Sequence, residues 1–395
     1  MNHPIYRTEP KSMIFDQDQF DRTNVAFSRF DGEDSTEFNL MITPEAGTSF
    51  SVQLASVEKA LKLFLRQQEM TDETVVFKRY FVSDYSNQTE IQERIAVSRY
   101  TSAVSVVQQT PLNGAKVIMQ ATLLDGANTQ KIQGGNSLCL SRNGYSHVFS
   151  TQLHSKNSQQ DSFDQTTDIF QDYLETLNIQ NLRLAENCIR TWIYVRDIDN
   201  NYAGMVKARN RFFDQQKLTK DTHFIASTGI EGRYADPSVS VLMDAYAIGG
   251  IRQEQVKFLK ALTHLNPTHE YGVAFERGTA VDYGDRRHIF ISGTASIDNH
   301  GQIVCMGDIQ GQIKRTFENI SALLADAGAQ LEDLTHTIVY LRDIADYAVT
   351  EDYINCHYPE IPYVIVQAPV CRPGWLIEIE GIAIKAIHNP QYNNY

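Results

Sequence analysis

The chain has 395 residues, 35 basic against 48 acidic, and a net charge of −13; at roughly 150 residues per domain this length points to two or three units. Such an acidic balance, with no block of Lys and Arg, argues against a partner with a phosphate backbone. No apolar run reaches the roughly 18 residues that span a bilayer, the first residues have no apolar signal core, and the five cysteines are odd in number and never in Cys-x-x-Cys spacing. The expectation is a cytoplasmic protein in a reducing compartment, with neither nucleic acid nor membrane as partner.

Residues 1–35 are polar and without a clear period, and read as a tail or one short strand. From Ser51 to Gln68, Val52, Leu54, Val57, Leu61, Phe64 and Leu65 recur at helical spacing, and a strand-like run from Thr74 to Asp84 follows. The same order returns twice. A helix through Phe170, Leu174 and Leu177 precedes a strand from Cys188 to Asp197, and a helix through Ile313, Phe317, Ile320, Leu323 and Leu324 precedes a strand from Thr335 to Asp343.

The three strands end alike, as Tyr-Phe-Val-Ser-Asp84, Ile-Tyr-Val-Arg-Asp197 and Val-Tyr-Leu-Arg-Asp343. Second helices, clearest over residues 206–213 and 351–358, and closing strands over 115–124, 239–248 and 375–384 complete each copy. Repetition on this scale predicts similar units packed around a shared centre, because equivalent apolar faces bury one another most readily under rotational symmetry. The expected boundaries are a tail over 1–35, a first, degenerate unit over 36–148, a second over 149–250 and a third over 268–388.

The last closing strand carries the chemistry. Pro373-Gly374 launches Trp375-Leu-Ile-Glu-Ile-Glu-Gly-Ile-Ala-Ile384, in which period two puts Glu378 and Glu380 on one face and Ile377 and Ile379 on the other. An edge strand with solvated glutamates would explain this pattern as well as a functional acid would. Gly381 implies either a bulge or an apolar continuation of the acidic face through Ile382 and Ile384. The positions aligned with Glu378 in the first two copies are Ile118 and Leu242, so one working site in three is implied.

These residues bring a family into view. Phe290-Ile-Ser-Gly-Thr-Ala-Ser-Ile297, Gly307-Asp308, Thr316-x-x-Asn319-Ile320, Ala327-Gly-Ala329, Leu341-Arg-Asp343 and Ile377 to Ile384 resemble the Rid (YjgF, endoribonuclease L-PSP-like) superfamily, closely over the third copy and in outline over the others. The resemblance implies an α/β (α+β) fold of three units, each a mixed sheet backed by two helices, arranged as an intramolecular pseudo-trimer around a central barrel with sites at the interfaces. A trimer fused in one chain is expected to be monomeric. Rid imine deaminases carry an arginine at the start of the strand before the glutamate strand; here that position falls on Pro362 or Tyr363, so deamination would need a relocated anion site.

A closer resemblance is to the chorismatases, carried by Ser292-Gly-Thr-Ala-Ser-Ile297, Cys371-Arg372 ahead of Leu376-Ile-Glu378, Phe275-Glu-Arg277-Gly, and Ser227-Thr-Gly-Ile230 after Arg209-Asn-Arg211-Phe-Phe213. It implies hydrolysis of chorismate or a similar carboxylate with release of pyruvate. Cleaving an enol ether needs a proton delivered to the vinyl carbon, and Glu378, in an otherwise apolar strand, is the candidate general acid. Arg211, Arg277 and Arg372, with Arg209 as substitute, are candidates to grip a small anionic carboxylate substrate. Arg211 on an exposed helix face, Arg277 in a local ion pair and Arg372 beside a turn are the plain alternatives. Ser292, Thr228, Gly229, Tyr202, Tyr363 and Cys371 are expected in the pocket, although Tyr and Cys in such strands often serve only the core. His288 and His336 have no ligand spacing, so neither a metal nor another cofactor is expected. A deaminase and a non-catalytic small-molecule binder stand as the competing readings.

Overall fold

The computed structural model describes residues 11–16, 22–98, 102–157 and 159–395. The helical spacing read from the first copy produces a helix because one stripe of it is apolar. Ser49 accepts the Val52 N–H to cap α1 (Phe50–Gln67), and Leu54, Val57, Leu61, Phe64 and Leu65 turn onto a sheet. That sheet gathers β1 (Lys11–Asp16), β2 (Arg22–Asp31), β3 (Ser35–Thr43), β4 (Val75–Val82), β5 (Ala103–Gln108) and β7 (Val117–Gly126) in the order β1-β2-β3-β7-β4-β5; α2 (Glu90–Ser98) lies between β4 and β5 in the chain, and the two-residue β6 (Thr110–Pro111) pairs elsewhere.

The second unit comprises β8 (Gln130–Gly134), β9 (Ser137–Arg142), β10 (Tyr145–Leu153), α3 (Ser162–Ile179), α4 (Leu184–Asn187), β11 (Cys188–Val195), α5 (Ile198–Gln215), β12 (Ala226–Glu231) and β13 (Val241–Gly249), with sheet order β12-β11-β13-β10-β9-β8. The third comprises β14 (Val256–Phe258), β15 (Gly278–Asp282), β16 (Arg286–Ala295), α6 (Ile309–Asp326), β17 (Leu334–Leu341), α7 (Tyr347–His357), β18 (Tyr363–Gln367) and β19 (Ile377–Ala386). Its order is β14-β15-β16-β19-β17-β18, and β6 of the first unit extends the β18 edge.

The inner four strands repeat as β3-β7-β4-β5, β10-β13-β11-β12 and β16-β19-β17-β18, the last pair parallel in each case. A bulge interrupts the pairing at the same point of all three, between Val75 and Phe77, Cys188 and Arg190, and Leu334 and His336. The three units of the expected α+β fold are therefore present, and counting from the bulge makes individual residues equivalent. Phe81 opposite Ile118, Tyr194 opposite Leu242 and Tyr340 opposite Glu378 form one set. Strand β19 stays in register with β17 from Ile377 through Ile382, so Gly381 marks no bulge in it and Ile382 continues the glutamates' face.

Sheet membership moves the expected boundaries. Residues 22–31, assigned to a polar tail, form a central strand of the first sheet with Val25 and Phe27 buried; their alternation is diluted by Thr, Asn, Ser and Arg and so escapes a hydrophobicity reading. Strands β8 to β10 join the second sheet because β10 pairs with β13, which transfers residues 130–148 from the first unit to the second. The third sheet begins at Val256 rather than near residue 268.

One apolar cluster runs through all three units, joining Met41, Phe81 and Ile118 to Tyr194, Ile230 and Leu242 and to the third unit's core. Main-chain bridges close the ring: Gln108 with Arg233, Ala226 with Glu276, and β18 with β6. No helix among the described residues is long and apolar enough to cross a membrane.

Candidate active site between the second and third units

The bridge from Ala226 to Glu276 brings β12 of the second unit beside β16 of the third. Ser292 makes the seam, accepting the Ser227 N–H at 2.9 Å and donating to the Glu276 carbonyl at 2.6 Å. At this seam β16 slips register against β19 between Ile291 and Thr294, and the slip leaves Gly293 beneath the Glu378 side chain. A pocket opens there. Tyr202 and Arg209 enter from α5, Ser227 and Gly229 from β12, Phe275 and Arg277 from the approach to β15, Cys371, Arg372 and Trp375 from the turn before β19, and Glu378 from β19 itself.

Glu378 is 6 % exposed. Burial, reinforced by the charge of Glu380, pushes its carboxyl up to about 8 against the opposing influence of Arg190 and Arg277, so it is protonated at neutral pH. Cys371 is a neutral thiol pushed up to about 12 by burial and by Glu378, and burial likewise raises the Tyr202 hydroxyl. Three guanidiniums face this neutral acid. Phe275 lies under both Arg209 and Arg277, 6.0 and 5.5 Å from the ring centre, and Arg372 lies over Trp375 at 4.8 Å. Arg277 is also anchored on the Asn266 carbonyl at 3.0 Å. In a chain with a net charge of −13, this concentration of positive charge favours an anion locally.

Of the expected residues, Glu378, Arg277, Arg372, Tyr202, Cys371 and Gly229 meet in this pocket. Three others do not line it, and Arg211 does not reach it. Arg211 is solvent-exposed, and Arg209, two residues earlier on the same helix, takes the buried side. Thr228 faces away because period two places it opposite Ser227 and Gly229; its hydroxyl meets Arg190, Glu380 and the Gly293 N–H. Ser292 is fully buried in the seam.

Tyr363 belongs to a different cleft, between the first and third units, with Met41, Ile118, Tyr347, Glu351 and Asn355. Its register explains the displacement. Tyr363 pairs with Thr337 and Ser227 with Thr191, equivalent positions of β17 and β11, so the strand facing Glu378 comes from the neighbouring unit and carries Ser227. The residues missed from sequence are Ser227, Phe275, Gly293 and Trp375. All four stood inside runs already singled out, and alternation along β12 would have separated Ser227 from Thr228.

Comparison with known proteins agrees with this architecture. The endoribonuclease L-PSP family model matches residues 276–385. A RutC family protein of Pyrococcus abyssi is 38% identical over 99 residues, 25% of this chain and 78% of that protein. The 3-aminoacrylate deaminase RutC of Acinetobacter baylyi is 34% identical over 97 residues, 24% of this chain and 77% of that protein. A chorismatase crystal structure superposes with a TM-score of 0.60 at 18% identity, covering 79% of this chain and 93% of that one, a likeness of fold that extends across the units. On the identity and coverage of the third unit, repeated in outline by the other two, the chain belongs to the Rid (YjgF, endoribonuclease L-PSP-like) superfamily, with three tandem units in one polypeptide.

Proposed function

We propose that the protein is a chorismatase-like hydrolase that cleaves the enol ether of chorismate or a similar small carboxylate substrate. The observation that carries this reading is a protonated, buried Glu378 in a pocket with Arg209, Arg277 and Arg372. Glu378 gives its proton to the terminal vinyl carbon of the enol ether, and the adjacent ether carbon becomes an oxocarbenium ion. Water adds to that carbon. The resulting hemiketal collapses to pyruvate and an alcohol, and the proton lost by the water restores Glu378, so substrate and one water balance the two products. The arginines hold carboxylates as planar forks, and Trp375 Nε1, buried with no acceptor among the described residues, adds a further donor to the wall. A bound dianion offsets the arginines' pull on Glu378 and so favours its acid form.

The pocket offers about 50 Å3, well below the roughly 300 Å3 usual for a ring-sized ligand. Admission of such a substrate therefore requires the pocket to widen. A deaminase shares the first step, protonation of a vinyl carbon, and the identity to a 3-aminoacrylate deaminase favours it as the second reading. Incubation of the purified protein with chorismate and, separately, with 3-aminoacrylate distinguishes them. Pyruvate from the first supports the hydrolase; ammonia released above the uncatalysed rate from the second alone replaces it with the deaminase.

A further inference from the structure

Counting from the shared bulge makes Gln120, Asp244 and Glu380 equivalent, one on each closing strand. Each meets a side chain of the preceding unit in the ring. Gln120 Nε2 lies 2.9 Å from His336 Nε2; Asp244 accepts from Arg79 at 3.2 Å and Ser105 at 2.5 Å; Glu380 accepts from Arg190 at 2.7 Å and Trp192 at 2.9 Å. Only Glu380 has a second acid two residues before it, since the equivalents of Glu378 are Leu242 and Ile118.

The hydrogens around Glu380 can be counted. Arg190 and Trp192 Nε1 have only hydrogens to offer. Thr228 Oγ1 takes hydrogens from Arg190 at 2.5 Å and from the Gly293 N–H at 2.9 Å, so its single hydrogen goes to Glu380 Oε2. Both carboxylate oxygens thus accept, with Arg79 Nη1 a further 3.9 Å away. The site is built for the ionised form of Glu380, which is 3 % exposed and therefore poorly screened. Thr228 also ties the same cluster to Gly293, the residue under the Glu378 carboxyl.

We infer that Glu380 is a positioning residue for Glu378: Arg190, Trp192 and Thr228 of the second unit lock it as a fixed negative charge, and that charge keeps the neighbouring acid in its proton-bearing form. The inference rests on Glu378 being the proton donor. The groups facing Glu378 from other elements are Tyr202 and Arg209 on α5, Arg190 on β11, Arg277 before β15, and Cys371 and Arg372 on the turn before β19. Arg190 and Arg277 favour ionisation of Glu378, while burial and the negative charge on the same strand face oppose them. The second unit, which lacks an acid of its own at this position, conditions the acid of the third.

Infrared titration of the full chain without substrate tests this, with the protonated-carboxyl band of Glu378 identified by its loss in Glu378→Gln. Glu380→Gln is expected to lower the midpoint of that band by about one pH unit or more, the scale of a close like-charge effect, while Glu380→Asp stays close to wild type. An unchanged midpoint in folded Glu380→Gln overturns the inference and leaves Glu380 as packing. If Glu380→Gln does not fold, Glu380→Met, which removes the charge and keeps the length, is read in the same way: a lowered midpoint upholds the inference and an unchanged midpoint overturns it. The titration needs no turnover, so a lowered midpoint in a protein that releases no pyruvate upholds the inference and rejects only the proposed reaction.

Discussion

Gly293 lies directly beneath Glu378: a methyl group on its α-carbon would stand 2.0 Å from Glu378 Oε1. The absence of a side chain at one residue of β16 therefore fixes where the acid on β19 can sit. Gly293→Ala must displace the carboxyl, and a misplacement of about 1 Å costs about 10²-fold in rate. Overpacking should also cost about 1–3 kcal/mol of stability. Turnover measured alongside urea unfolding checks both, and undiminished turnover would show that Glu378 does not act from this position.

The two arginines of the Arg-Asn-Arg run on α5 should behave oppositely. Arg209→Met is expected to weaken binding of a dicarboxylate by about 1.5–3 kcal/mol, the range for hydrogen bonds to a charged group. Arg211→Ala, on the solvent side, should change it by less than about 0.5 kcal/mol. Calorimetry with chorismate or a stable analogue compares them, and equal losses would mean that binding does not use the buried face of the helix.

The repeat was legible because each copy places an apolar strand ending in Asp after an amphipathic helix, and burial enforces that pattern wherever it occurs. Glu378 was legible only as one of two readings, because an acid in an otherwise apolar strand fits a solvated edge as well as a functional group, and burial of the strand inside the sheet decides between them. The position of Tyr363 was not. One copy read alone puts β18 beside its own glutamate strand, whereas the ring closes head to tail and gives that place to β12, a relation that arises only on packing. Arg209 lies on the buried stripe of α5 with Met205, Ala208, Phe212 and Phe213, and Arg211 lies off it, so helical spacing separates the two.

His147 and His336 are buried, one ringed by Tyr145, Tyr246, Tyr283 and Tyr395 and the other against Gln120. Burial depresses both to about 3 from an ordinary 6.5. A depressed histidine stabilises the fold above pH 6.5, and that contribution is lost as pH falls from 6.5 toward 3, because the unfolded chain takes up the proton first. Denaturant melts should therefore lose stability on acidification below pH 6.5. His336→Gln should reduce the slope between pH 5 and 6 by about 1.4 kcal/mol per pH unit, the value of one proton; an unaltered slope would mean that His336 is accessible to protons in the folded state.

Glu378 should act in the opposite sense on the same axis, and this separates it from the histidines. Its folded value is raised, from 4.5 to about 8. The folded state holds a proton that the unfolded chain has released, so the contribution is present in full below pH 4.5 and is lost as pH rises through 8. Glu378→Gln keeps the shape, removes the charge that must otherwise be buried, and should therefore gain on wild type in stability progressively between pH 4.5 and 8, with no further gain above. In the same preparation, turnover should fall by about 10² to 10⁴, the usual contribution of a general acid, while wild-type turnover declines above pH 8 as the donor ionises. The two measurements test different properties of one proton. A stability difference that is flat across pH 4.5–8 would place the carboxyl in contact with solvent, and wild-type pyruvate release by the folded variant would remove Glu378 from the chemistry even if its burial were upheld.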